Sequence, residues 1–221
     1  MKNILVIAVH PDDETLGAGG TILRHIAEGD QVHWLILTGI SKDLGYSQEK
    51  ISQRENEIEK VSKMYQLAST RSLNFPTTKL DSIELGTIIS AISEKINDIK
   101  PEVLYLPFSN DVHSDHKVAF EAAYSCTKSF RYPFIKKVLL METISETNFS
   151  TSHQNTFAPN YYVNITEYID KKVDIMKVYK SELGEHPFPR SEKSIKALAT
   201  LRGSESNCIE AEAFMLIKEI V

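Results

Sequence analysis

The stretch that most limits what this chain can fold into is Ile4-Leu5-Val6-Ile7-Ala8-Val9. Six consecutive apolar residues, rich in β-branched side chains, predict a strand buried on both faces, as inside a parallel sheet. The run stops at His10-Pro11 and passes into Asp12-Asp13-Glu14. Proline has no N–H to give to a ladder, so the strand ends there. An imidazole and three acids then stand where the carboxyl end of a strand opens into a crevice, the usual ligand position in open α/β sheets. Packing gives no reason to gather three carboxylates beside a histidine. Their mutual repulsion raises their pKa values unless a cation neutralises them. A metal ion is the expected cation.

The same arrangement recurs downstream. Val103-Leu104-Tyr105-Leu106 reads as a buried strand, and it runs into Pro107-Phe108-Ser109-Asn110-Asp111-Val112-His113-Ser114-Asp115-His116. Helical spacing resumes from Lys117 to Lys128 through Val118, Ala119, Ala122 and Ala123. That puts His116 near a helix start, with His113 one turn earlier or in the loop.

The intervening and later segments alternate in type. Leu16, Gly20, Leu23 and Ala27 can share a helix face, and Gly17, Gly19 and Gly20 are expected to let that helix lie close to the first strand. Gln31 to Thr38 is a second buried strand, with His33 in a structural role. Ser52-Gln53-Arg54-Glu55 has the pattern of a capping box and opens a helix to about Ala68, with Ile58, Val61 and Tyr65 inward. Arg54 then falls in the first turn, where the helix dipole disfavours a cation. It is either solvated or aimed into the site. Arg71 to Phe75 reads as a strand, and Asp81 to Glu84 caps a helix with Ile88, Ile89, Ile92, Ile96 and Ile99 in the core. Lys137 to Glu142 is a further strand, residues 145–160 are a polar surface loop, and Tyr161 to Ile165 is extended. Thr166 opens a helix to about Ser181. The stretch 185–190, with Pro187 and Pro189, is a break. Ser191 starts a helix that ends at Gly203, and Ala211 to Ile217 is a strand or a helix. Such alternation predicts an α/β fold: a Rossmann-like, doubly wound, mostly parallel sheet in three α/β/α layers, with residues 1–221 as one domain.

With 221 residues and 42% apolar content the chain can bury a full core. A net charge of −5 argues against a nucleic-acid or anionic-membrane surface. No apolar run is long enough to span a bilayer, and the N-terminus has no signal-peptide pattern. Cys126 and Cys208 form no C-x-x-C pair and read as thiols of a reducing compartment. A cytoplasmic protein with a small-molecule partner is expected, and a homo-oligomer is left open.

The ligand types on offer are His10, one or two of Asp12, Asp13 and Glu14, and His113 or His116. Two imidazoles and one carboxylate leave a tetrahedral Zn²⁺ one open position. The same set also serves Fe²⁺. A spare Asp can take a proton from water, and a spare His can act as an acid or an oxyanion donor. Together these make a kit for amide hydrolysis without a covalent nucleophile. No G-x-S-x-G or Cys–His nucleophile motif competes with it.

Ala8-Val9-His10-Pro11-Asp12-Asp13-Glu14 with Leu16-Gly17-Ala18-Gly19-Gly20, followed by His113-Ser114-Asp115-His116, closely resembles the PIG-L-like (LmbE-like) N-acetylglucosaminyl deacetylases. The helix carrying Arg54 and Glu57 and the ending Ala211-Glu212-Ala213-Phe214 look like that family as well. In Tyr179-Lys180-Ser181-Glu182, Glu182 stands where many members carry Gln. The resemblance implies His10, Asp13 and His116 as metal ligands and Asp12 as general base on water. It implies His113 as the protonated partner of the oxyanion, Asp115 as the group that holds His113 charged and oriented, Glu14 behind them, and Arg54 as a substrate-binding residue. The activity it implies is zinc-dependent removal of acetyl from an N-acetylated amino sugar or its conjugate. A different N-acyl substrate, or a non-catalytic ligand-binding module on the same sheet, are the rival readings. No role is assigned to Glu182, His186 or Arg190.

Overall fold

A computed structural model describes residues 1–150 and 156–221. In chain order the elements are β1 (Asn3–Ala8), α1 (Asp13–Ala27), β2 (Gln31–Gly39), α2 (Gln48–Tyr65), β3 (Ser69–Pro76), α3 (Leu85–Ile99) and β4 (Val103–Leu106). They continue with α4 (Ser114–Ser125), β5 (Lys137–Met141), β6 (Tyr161–Asn164), α5 (Ile169–Met176), α6 (Glu192–Ser206) and β7 (Ala211–Glu219). The strands form one sheet in the order β3-β2-β1-β4-β5-β7-β6. The pairs from β3 to β5 are parallel, while β7 runs antiparallel to both β5 and β6.

Period-2 alternation along β1 divides its side chains between two cores. Ile4, Val6 and Ala8 pack with Leu16, Ile22, Trp34, Tyr105 and Phe214 on one face. Leu5 and Ile7, followed by Val9, pack with Leu35, Ile88, Ile92, Ile96 and Leu104 on the other. This explains the unbroken apolar run. A strand with helices on both sides has no solvent face on which to place a polar residue.

After β1 the chain builds outward through β2 and β3, then returns to lay β4 on β1's other side. The crevice at the carboxyl ends of β1 and β4 is therefore a topological switch point. Both histidine-bearing loops open into it.

Several boundaries differ from expectation. Helix α2 starts at Gln48, capped by Ser47, whose Oγ accepts the Lys50 N–H at 3.3 Å. Ser52 to Glu55 is thus mid-helix and not a cap, and Arg54 sits in the second turn. Helix α4 begins at Ser114, not Lys117, because the His113 imidazole serves as its N-cap. Helix α5 is short, since the buried Tyr179 leaves the helical path and its hydroxyl donates to Glu14 Oε1 at 2.8 Å. Ala211–Glu219 is a strand, held between β5 and β6. His33 bonds Ser69 Oγ at 2.8 Å, a structural role.

The glycines of α1 permit close approach, but not to β1. A Cβ on Gly17 would lie 2.9 Å from Met141 Cβ, and one on Gly20 would lie 2.6 Å from Ile165 Cγ2. Of the loop read over 145–160, residues 151–155 lie outside the described residues, and Thr147–Phe149 form a 3₁₀ turn. Cys126 and Cys208 are free thiols. Among the described residues no helix is long and apolar enough to cross a membrane.

Helix α1 is clamped from behind by a buried ion pair. Lys172 Nζ lies 2.7 Å from Glu212 Oε1 and also donates to the Leu16 carbonyl at 2.9 Å. Glu212 in turn accepts the Gly20 and Thr21 N–H groups at 2.9 and 2.7 Å. The element that carries Asp13 and Glu14 is thereby fixed to the C-terminal strand.

Candidate active site

Helix α1 begins at the acids. Asp12 precedes it with φ 139° and ψ −28°, a conformation that L-residues rarely adopt. Such strain costs about 1–3 kcal/mol and persists only where surrounding contacts enforce it. Here the Asp12 carbonyl accepts the Thr15 and Leu16 N–H groups, and its own N–H donates to Glu14 Oε2 at 3.1 Å. Glu14 is fully buried, and burial raises its pKa to about 7 despite hydrogen bonds from Thr15 and Tyr179. Its work is to hold the backbone that aims Asp12.

Asp13 turns the other way. One of its oxygens, Oδ2, accepts the backbone N–H groups of Val9 and His10 at 3.1 and 2.8 Å. The same oxygen lies 3.3 Å from His116 Nε2 and 3.7 Å from His10 Nδ1. Burial would raise the Asp13 carboxyl, but His116 and then His10 outweigh it and hold it far below the ordinary range. His116 is completely buried; burial opposes its charge, yet Asp13 and Asp111 push its pKa well up.

The tautomer of His116 decides what this cluster is for. Its Nδ1 sits 2.8 Å from Asp111 Oδ2, so Nδ1 carries the proton and donates it. Asp111 is itself held by Thr147 Oγ1 at 2.6 Å. The opposite nitrogen, Nε2, is buried and makes no hydrogen bond, although it lies 3.3 Å from Asp13 Oδ2. Without a cation the raised pKa puts a second proton on Nε2, facing Asp13. A divalent ion would take that proton's place, and a carboxylate behind the other ring nitrogen is the usual support of a metal-ligating histidine. His10, Asp13 and His116 each offer one donor atom, all within 4.8 Å of one another. The donor set therefore fits a divalent cation.

His10, His113 and Asp115 form an alternative close group. The carboxylate of Asp115 is already engaged, accepting the Thr78 and Leu80 N–H groups at 2.7 and 3.0 Å and facing His10 Nε2 at 3.3 Å. Burial would raise its pKa, but the hydrogen bond from His10 and those two amides lower it. This corrects the role implied by resemblance: the Asp115 carboxylate orients His10, leaving Nδ1 of that ring toward Asp13. It is the backbone N–H of Asp115 that meets His113, donating to Nδ1 at 3.1 Å. An imidazole that accepts at Nδ1 is unprotonated there. Burial, and then His10, also lower the His113 pKa. In the structure His113 therefore accepts at Nδ1, and a proton it offers to a ligand would stand on Nε2. The reason is positional, because the N-cap site takes an acceptor.

The site opens into a cavity of about 480 Å³ whose lining includes Asp12, His113, Tyr46, Arg54, Glu146 and Glu182. That size lies within the range of small-molecule sites. No hydrogen bond from a described residue reaches the Asp12 carboxylate, which burial, and then Asp13, push well above its ordinary pKa. Arg54 is not free. It donates to the Pro11 carbonyl at 3.0 Å and to Glu182 Oε1 at 2.6 Å, and its Nε lies 3.4 Å from Glu57.

Residues 5–127, more than half the chain, match the family described as PIG-L, GlcNAc-PI de-N-acetylase. The chain belongs to the PIG-L family. This PIG-L protein is 25% identical to diacetylchitobiose deacetylase of Thermococcus kodakarensis, over 100% of its own length and 85% of the relative's. It is 21% identical to a protein of Bacillus anthracis named a probable N-acetyl-alpha-D-glucosaminyl L-malate deacetylase, covering 82% of this chain and 81% of that one. A conserved protein from Thermus thermophilus shares the fold with a TM-score of 0.79 at 24% identity, covering 100% of this chain and 97% of that one. The first two of these relatives are named as deacetylases, the second as a probable one.

The structure brings His10, Asp12, Asp13, His113, Asp115 and His116 together at one crevice, with Arg54 on its wall. Sequence reasoning gave no role to Asp111, which fixes His116, or to the Glu182–Arg190 pair. Asp111 lies five positions before His116 across a loop, a spacing that no periodicity marks.

Proposed function

We propose that this protein is a metal-dependent hydrolase that removes the acetyl group from an N-acetylated amino sugar or its conjugate, giving acetate and a free amine. The observation that carries the reading is the buried, unpaired Nε2 of His116 beside Asp13 and His10, one residue from an unpartnered carboxylate. His10, Asp13 and His116 would hold the ion, Zn²⁺ or Fe²⁺. Bound there, it would lower the pKa of water and polarise the acetamide carbonyl.

The chain's own residues supply the rest. Asp12 takes the proton from the attacking water; its place beside the ligand set and its rigid backbone suit a general base. That proton is the one the departing amine nitrogen needs, so the balance closes without another donor. His113, neutral with its proton on Nε2, donates a hydrogen bond to the oxyanion that develops on the acetamide oxygen. Asp111 and Asp115 fix the tautomers of the two ligand histidines. Arg54 shapes the substrate wall through its hold on Pro11 and Glu182.

The test is a pair of variants with metal content and acetate release measured together. His116→Ala is expected to lose stoichiometric metal. Asp12→Asn is expected to keep it while turnover drops by about 10²–10⁴-fold, the usual contribution of a positioned base. Loss of metal in Asp12→Asn would mean base and ligand are exchanged. A panel of N-acyl amines separates the sugar reading from hydrolysis of another amide.

A further inference from the structure

We infer that the wall formed by Arg54, Glu182 and Arg190 selects uncharged N-acetyl sugars over conjugates bearing a carboxylate or phosphate, and that Glu182 sets this choice. The inference rests on the reading above for the acetyl end of the substrate and adds the chemistry of the remainder.

An anionic conjugate is normally gripped by a guanidinium fork presented with free donors. Two arginines line this cavity, and in each all three guanidinium nitrogens are already turned to a protein partner, which leaves only part of the donor set for a ligand. Arg54 uses Nη1 on the Pro11 carbonyl, Nη2 on Glu182 Oε1 and Ser181 Oγ, and Nε toward Glu57. Arg190 uses Nε on the Glu182 carbonyl, Nη1 on Ser145 Oγ and Nη2 on Glu182 Oε2 at 3.2 Å. One carboxylate thus holds both guanidinium groups, one on each oxygen. Burial would raise the Glu182 carboxyl, but Arg54 and then Arg190 keep it ionised.

The rest of the lining points the same way. Among the described residues six carboxylates line the cavity against three cations, and the third cation, Lys50, is exposed at the rim. A divalent ion would offset two of those three excess charges and Asp12→Asn removes the third, so in the metal-loaded variant the discrimination is expected to come from Glu182 and the two arginines it occupies. Sugar hydroxyls are donors that carboxylates and serines accept, while Tyr46 and Ile51 offer apolar surface for a ring face.

The experiment titrates the metal-loaded Asp12→Asn protein, which should bind substrates without consuming them. The probes are methyl N-acetylglucosaminide and the same sugar carrying a 6-phosphate or an O-linked malate. The neutral sugar should bind at least about tenfold tighter than either anion, a difference of about 1.4 kcal/mol. In the Glu182→Gln background the ratio should move toward the anions by at least about tenfold. That gain should fade in high salt. Equal or tighter binding of the anions to the parent protein overturns the inference, as does binding of neither class. A ratio unchanged in Glu182→Gln removes Glu182 as its cause. Acetate release by the wild-type protein is read separately. Binding in the expected order with no acetate released would support the charge selection and sink the deacetylase reading.

Discussion

Asp111→Ala is the sharpest single perturbation of the metal-site argument. Asp111 touches no substrate and offers no ligand atom; it accepts from His116 Nδ1 at 2.8 Å and from Thr147 Oγ1 at 2.6 Å. Removing it has two separable costs. The first is structural: two buried donors lose their acceptor, at about 1–3 kcal/mol. For a chain of this size each kcal/mol lowers Tm by about 2–4 °C. The second falls on the ion. With nothing to hold the proton on Nδ1, His116 can carry it on Nε2, the atom proposed to meet the metal. Loss of such a supporting carboxylate weakens metal binding by about 10–100-fold, or about 1.4–2.8 kcal/mol. Asp111→Asn keeps an oxygen for Nδ1–H and loses only the charge, so its effect should be smaller on both counts. The assay is chelator competition for Zn²⁺, beside thermal unfolding of the metal-free protein. A Tm loss in the metal-free protein with unchanged metal affinity would make Asp111 purely structural and refute the assignment of His116 Nε2 as a ligand.

Two further outcomes are expected away from the reacting groups. Glu212→Gln leaves Lys172 as an uncompensated buried cation, which should cost about 3–5 kcal/mol in urea unfolding; adding Lys172→Met should restore part of it, and a fully additive loss would deny the coupling. Burial holds the His25 imidazole below its ordinary value of 6.5, although Asp30 at 2.9 Å opposes the shift. The unfolded chain therefore takes up that proton first as pH falls through 6.5, so His25 contributes stability at neutral pH that is lost on acidification. The difference in unfolding free energy between wild type and His25→Gln should shrink from pH 7.5 to 5.5, and a constant difference would contradict the shift.

The elements were largely legible because local pattern encodes them. The β1 run, the spacing of Ile88, Ile92, Ile96 and Ile99, and the strand-to-loop change after Leu106 all follow from periodicity and from which faces are covered. Where expectation and structure differ, either a competing local signal or a tertiary contact prevailed. Ser47 out-competed Ser52 as the α2 cap. Tyr179 left helix α5 to reach Glu14, and the α1 glycines face Met141 and Ile165 instead of β1.

The sequence alone determined that two strands end in histidine and acid, and that these residue types suit a cation and an activated water. It contains no distance between residues about a hundred positions apart. Only the sheet order, with β4 laid against β1, brings His10 within 5.4 Å of His116, ring centre to ring centre. Only the packed loops decided which ring nitrogen each imidazole presents. Asp115 went to His10, and His113 became a helix cap, because hydrogen bonds choose partners by position in space, whereas a motif records only position in the chain.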